Sequence, residues 1–295
     1  MSLDRLYLDL LDEAPIGPPS GGRARLLTTA ASRRRPAFPC VSWARAYAGR
    51  VAALDAVFAS ATAWDVTIVE GWNLQELLTH LMAKDGLVSR AVGAPVHGPP
   101  ITEDEAMART RELQDHERSR SLLETRQSWR DQADALCHAL TDADPGRMIS
   151  ASGLSLPLGD QILGRALETW IHTHDTAVSE GLTLPTPVAD ELHPMADLCA
   201  RLLPLTAVLS GLDLGDRAVR LTLIGEGGGD WYLPLRLGHP GSVYEGQEVA
   251  LTIRADVVEY CFVLGGRGAG FAWETEGDFA LAAELRSAAP ALSGP

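Results

Sequence analysis

From Ser42 onward, apolar residues recur at helical spacing. Tyr47, Val51, Leu54 and Phe58 fall on one stripe and predict a first helix that Ser42 can cap. Asn73 opens a second helix, whose stripe is Leu74, Leu77, Leu78 and Leu81. Glu76, three residues after Asn73, completes a capping-box pattern, and the helix should end near Gly93. A loop rich in Pro and Gly at 94–101 leads to the acidic run Glu103-Asp104-Glu105, which suits a helix's first turn. A long charged helix, with room for an interruption, then reaches about Leu140 and carries Trp129 and Leu136. A fourth helix is expected from Asp160 to Gly181, and a leucine-rich fifth over 189–209.

After Gly215 the period changes from helical to twofold. Residues 217–224 and 231–237 alternate as strands do, with Gly225–Asp230 between them. The run Gly227-Gly228-Gly229 therefore reads as a hairpin turn, since a phosphate loop would join a strand to a helix. A third strand is expected at 249–254 and a helix at 255–264, closed by Gly265-Gly266-Arg267. Four or five helices with moderate loops suggest an up-down bundle, and the strands add a small α+β unit. The fold class is thus α+β. The expected division is an extension at 1–40, a helical bundle at 41–212 and the α+β unit at 213–295. Within the extension, a short amphipathic helix at 3–11 and a helical stretch at 24–31 flank a segment dense in Pro and Gly.

Composition narrows the function. A chain of 295 residues, 46% hydrophobic, can bury a sizeable core. A net charge of −14 argues against a nucleic-acid partner, and Arg33-Arg34-Arg35 before Pro36 reads as a solvated linker. No apolar run approaches the ~18 residues of a membrane span. The N-terminus also lacks the basic and apolar regions of a signal peptide, so a cytoplasmic protein with no membrane partner is expected. The four cysteines are scattered without a CxxC pair, as for reduced thiols, and Cys137 and Cys199 sit in amphipathic runs where a buried, inert thiol is expected. Lys84 is the single lysine, a bias typical of a GC-rich genome.

The candidate chemistry lies in Glu168-Thr169-Trp170-Ile171-His172-Thr173-His174-Asp175. On a helix, Glu168 and His172 stack on one face and offer a divalent ion half a coordination shell. His80, close to the apolar stripe of the second helix, is the candidate third ligand. Two histidines and one glutamate leave a position open for water or substrate, the mark of a catalytic metal. An ordinary surface ion pair between Arg165 and Glu168 is the competing explanation for the carboxylate. Asp175 can orient the His172 imidazole, whereas His174 points about 200° away from it. No Gly-x-Ser-x-Gly, Walker A or HExxH motif is present.

The segment Gly71–Leu81 resembles the W-x-x-x-[DE]-[LV]-[LV]-x-H-[LV] element of the mycothiol-dependent maleylpyruvate isomerase family, in the DinB-like superfamily. Glu168–Gly181 resembles that family's E-x-x-x-H-x-x-D element, and Trp231 with Leu264-Gly265-Gly266-Arg267 is similar to its small α+β domain. The resemblance covers roughly 41–290 and implies a DinB-like four-helix bundle holding a divalent metal, most often Zn2+, on His80, Glu168 and His172. It also implies mycothiol as thiol cosubstrate and a small electrophile as substrate. Arg267, and after it Arg236, are the arginines expected to contact the substrate or thiol. The 1–40 extension lies outside the family's basic pattern and tilts the expectation from isomerisation towards S-transfer. A non-catalytic ligand-binding protein on the same scaffold is the alternative, and a homo-oligomer is compatible with either.

Overall fold

The computed structural model describes residues 35–61, 64–239, 241–268 and 270–293. The helices expected at 3–11 and 24–31, together with Arg33 and Arg34, lie outside the described residues. The chain divides into segments 1–36 and 37–295, and the architecture below belongs to the second.

A 3-10 turn, Ser42–Ala44, leads into α1 (Arg45–Ser60). Ser42 does not cap this helix: it sits inside the turn, and no side chain caps either element. Next comes α2 (Leu74–Val92), and here the expected box forms. Asn73 Oδ1 accepts from the Glu76 amide at 3.0 Å, and the Asn73 amide donates to Glu76 Oε2 at 3.0 Å. At the other end Gly93 takes φ +75°, and the Ala94 amide reaches back to the Ser89 carbonyl at 2.8 Å.

The charged stretch that follows is two helices, α3 (Ala106–Glu117) and α4 (Leu122–Ala139). Glu105 caps α3 by accepting from the Met107 and Ala108 amides. Ser121 and Glu124 form a second capping box, which starts α4 afresh where the hydrophobic pattern alone reads as continuous. A hairpin absent from the sequence reading comes next, β1 (Met148–Ala151) and β2 (Leu154–Pro157). Its two-residue turn places Ser152 at φ +57° and Gly153 at φ +75°, and the Ser152 amide is held by Asp104 Oδ1 at 3.0 Å.

Helices α5 (Leu158–Ser179) and α6 (Ala189–Leu209) complete the helical part. α6 is long and apolar enough to cross a membrane by length and composition alone, contrary to the expectation of no such run. It nevertheless contains Pro194 and Pro204, and Leu192, Met195, Cys199 and Leu203 along it are buried in the common core.

The remaining chain forms a five-stranded sheet in the order β5-β4-β3-β6-β7. Its strands are β3 (Ala218–Ile224), β4 (Gly229–Pro234), β5 (Ser242–Val243), β6 (Leu251–Asp256) and β7 (Glu274–Gly277). β3 and β4 pair antiparallel across the glycine turn, while β3 and β6 run parallel, Val219 opposite Leu251. α7 (Val257–Leu264) follows β6 directly, and α8 (Phe279–Ala288) packs nearby; β5, β7 and α8 were not foreseen. One contiguous apolar core runs from Tyr47, Phe58 and Trp129 in the helices to Leu221, Ile253 and Tyr260 in the sheet part.

Candidate metal centre

His80 lies two turns inside α2, and Glu168, His172 and Asp175 occupy successive turns of one face of α5. His80, Glu168 and His172 each offer one ligand atom, and those atoms lie within 4.8 Å of one another. His80 and His172 are buried, and their rings meet edge to face at 5.7 Å. His174 faces the other way, exposed, against Phe262.

Each imidazole is held at the nitrogen that points away from the cluster. Thr110 of α3 donates its only hydroxyl proton to the Ala106 carbonyl at 2.8 Å, so it accepts from His80 Nδ1–H at 3.0 Å. His172 Nδ1–H donates to Asp175 Oδ2 at 3.1 Å. Held this way at Nδ1, each ring can offer its Nε2 lone pair to an ion, the tautomer a metal ligand needs.

Charge at Glu168 is fixed from the opposite side. Oε2 is contacted by Lys84 Nζ at 2.7 Å and by the Arg165 guanidinium. Burial works against ionisation, but Arg165, Lys84 and His80 outweigh it and hold the carboxyl well below the usual carboxylate range. Arg165 is itself buried and continues to Asp85 Oδ1 at 2.7 Å, whose other oxygen accepts from Tyr47 at 2.8 Å. The Arg165–Glu168 pair is thus a buried device behind the cluster rather than a surface ion pair.

Burial pushes His80 down to about 4, despite the hydrogen bond and charge of Glu168, so the ring is neutral at pH 7. Its Nε2 lies 2.9 Å from Glu168 Oε1. Two acceptors at that separation repel unless a proton or a metal cation lies between them. The donor set fits a divalent ion: two imidazole nitrogens and one carboxylate oxygen, each residue oriented by a further hydrogen bond or ion pair.

Asp175 is in turn clamped by Arg267, with Nη2–Oδ2 at 3.0 Å and Nε–Oδ1 at 3.1 Å. Burial opposes the charge on Asp175, yet the bonds from His172 and Arg267 keep its carboxyl below the ordinary range. Arg267 reaches this point because α7 closes on Gly265-Gly266. Gly266 takes φ +75°, the Arg267 amide returns to the Phe262 carbonyl at 2.8 Å, and the chain turns sharply towards α5. Gly265 is needed for close approach, since a Cβ there would lie 1.9 Å from Ile171 Cδ1. Arg236 is placed elsewhere: exposed, beyond β4, 3.8 Å from Asp216 and outside the lining of the cleft.

That cleft opens beside Glu168 and His172. Lys84, Arg165 and Arg267 stand at the cluster end, and Leu154, Leu156, Leu167, Ile171, Leu198 and Leu264 form apolar walls. The β1–β2 hairpin supplies one wall. Sequence reasoning missed this wall, Thr110 and the Tyr47–Asp85–Arg165 chain. Only Lys84 had a legible signal, one helical turn after His80.

Residues 44–177 match the family model described as mycothiol maleylpyruvate isomerase N-terminal domain. Two solved structures share the fold: a mycothiol-dependent maleylpyruvate isomerase, 14% identical with TM-score 0.52, and its H52A mutant, 13% identical with TM-score 0.52. In both cases the match covers 80% of this chain and 93% of the other. No curated protein matches.

Proposed function

We propose, from the match of residues 44–177 to the mycothiol maleylpyruvate isomerase N-terminal domain model and from the geometry of the cluster, that the chain is a metal-dependent enzyme using mycothiol on a small electrophile. The observation that carries this reading is the convergence of His80, Glu168 and His172, whose ligand atoms lie within 4.8 Å of one another. When bound, a divalent ion such as Zn2+ supplies Lewis acidity that keeps a thiol deprotonated near neutral pH.

The chain's own residues then have distinct tasks. Thr110 and Asp175 fix the two imidazole tautomers, and Arg267 holds Asp175 in register. Arg165 and Lys84 keep Glu168 ionised. The leucine walls exclude water and accept the apolar body of a substrate, while the cations at the cluster end favour an acidic or electron-poor group. A thiolate presented here can add to an activated alkene, leave after rotation about the new single bond and so isomerise it. Alternatively it displaces a leaving group and stays attached, which is S-transfer. The apolar cleft and the 1–40 extension lean towards transfer. In this reading 41–212 carries the cluster, and 213–295 contributes Arg267 and closes the cleft.

A second reading is a non-catalytic ligand-binding protein. It is favoured by the ion pairs of Lys84 and Arg165, which satisfy one oxygen of Glu168 without any metal. Elemental analysis of wild type beside His80→Ala and Glu168→Ala separates the two. About one zinc per chain fewer in both variants than in wild type supports the enzyme; mass spectrometry of mycothiol with maleylpyruvate and with alkylating electrophiles then distinguishes returned thiol from adduct. A metal-free wild type after reconstitution leaves the binding reading.

A further inference from the structure

A second cluster lies away from this cleft, where the 93–105 loop crosses the C-terminus of α3. His97, His116 and Glu117 bring one ligand atom each to within 4.8 Å of one another. His97 Nε2 is 2.7 Å from Glu117 Oε1, and His116 Nε2 is 3.9 Å from the same oxygen. The two rings are 5.7 Å apart at 64°.

We propose that His97, His116 and Glu117 form a second divalent-cation site of the borderline class that includes Zn2+, Ni2+ and Cu2+. Two imidazoles and a carboxylate are the donors such ions favour over Mg2+ or Ca2+. The ligands are built in rather than gathered by chance on a surface. Glu117 is buried, and its Oε2 is held by Thr125 Oγ1 at 2.6 Å and Arg120 Nε at 3.3 Å, which leaves Oε1 for the histidines. The backbone of His97 is pinned on both sides: its amide donates to Gln132 Oε1 at 2.8 Å, and its carbonyl accepts from Arg109 Nη2 at 2.8 Å.

Gly98 lets the loop lie this close. It takes φ +82°, and a Cβ there would meet Leu113 Cδ1 of α3 at 2.4 Å. The cluster also sits at the last turn of α3, where the helix dipole favours positive charge. His116 is 41% exposed, so the remaining coordination positions face water. An ion here ties the 93–105 loop to α3, the helix that contributes Thr110 to His80.

The test is zinc binding to the full, chelator-stripped chain, read by competition with a chromophoric chelator, in wild type and Glu168→Gln, each with and without His116→Ala. The exposed His116 ring can be removed with little cost to the fold. The expected result is that His116→Ala subtracts one zinc site, or weakens it by at least about tenfold, in both backgrounds. The Glu168→Gln background alone should retain that site, which separates this proposal from the fate of the His80 cluster. His97→Gln should repeat the loss, and zinc should slow carbethoxylation of His116 by diethyl pyrocarbonate in wild type. Unchanged zinc count and affinity on removing His116, or no zinc in Glu168→Gln, would overturn the proposal.

Discussion

Asp85 offers the sharpest test of how the metal cluster is supported. It is 1% exposed and accepts two hydrogen bonds, from Arg165 Nε at 2.7 Å and Tyr47 at 2.8 Å. Burial raises its carboxyl, with Arg165 the main opposing influence. Asp85→Ala removes both acceptors at once. Loss of a charged hydrogen bond costs about 1.5–3 kcal/mol and stranding the Tyr47 hydroxyl about 1–3 kcal/mol. Arg165 keeps Glu168, so the total should be about 3–5 kcal/mol, as for other broken buried pairs. Tyr47→Phe should cost only about 1 kcal/mol, and the double variant should be about 1–3 kcal/mol more stable than Asp85→Ala alone, because it no longer buries a stranded hydroxyl. Urea unfolding of the four proteins at pH 7.5 measures this. A cost below about 1 kcal/mol for Asp85→Ala, or strict additivity with Tyr47→Phe, refutes the idea that Asp85 anchors Arg165 behind Glu168.

Three further outcomes are expected. His80 has a folded value of about 4 against 6.5 unfolded; above 6.5 both states are neutral there and stability is full. As pH falls towards 4 only the unfolded chain takes up the proton, so the metal-stripped protein should lose about 3 kcal/mol across that window. Urea unfolding should show this slope flattened in His80→Asn. Glu168 and Asp175, held low, contribute stability that is present above their unfolded values and lost as acid titrates them, so unfolding should steepen below pH 4. Gly265→Val should drive a side chain into Ile171 and cost about 1–3 kcal/mol or more, seen as a lower Tm, with Arg267 displaced from Asp175. Arg267→Gln should leave the fold intact but weaken zinc about tenfold, since Asp175 loses its clamp, and direct zinc competition reads this.

Local information was enough for the elements that local rules specify. Asn73 with Glu76 set the start of α2, the Leu74–Leu81 stripe set its buried face, and the i, i+4 spacing of Glu168 and His172 put both on one face of α5. The same spacing reasoning placed Asp175 beneath His172. Ser121-x-x-Glu124 supplies the interruption for which the charged run had room, whereas Ser152-Gly153 turns a β1–β2 hairpin that the sequence reading lacks. No pattern within a helix could show that Thr110, 30 residues from His80, supplies the acceptor that fixes its tautomer. Nor could it show that Asp85 and Tyr47 lie behind Arg165, or that the α7 turn reaches 92 residues back to deliver Arg267 to Asp175. Periodicity records which side of an element is buried. What that side meets is decided by packing, and packing turned a spacing of two ligands on one helix into a three-sided cluster with its charge and tautomers set.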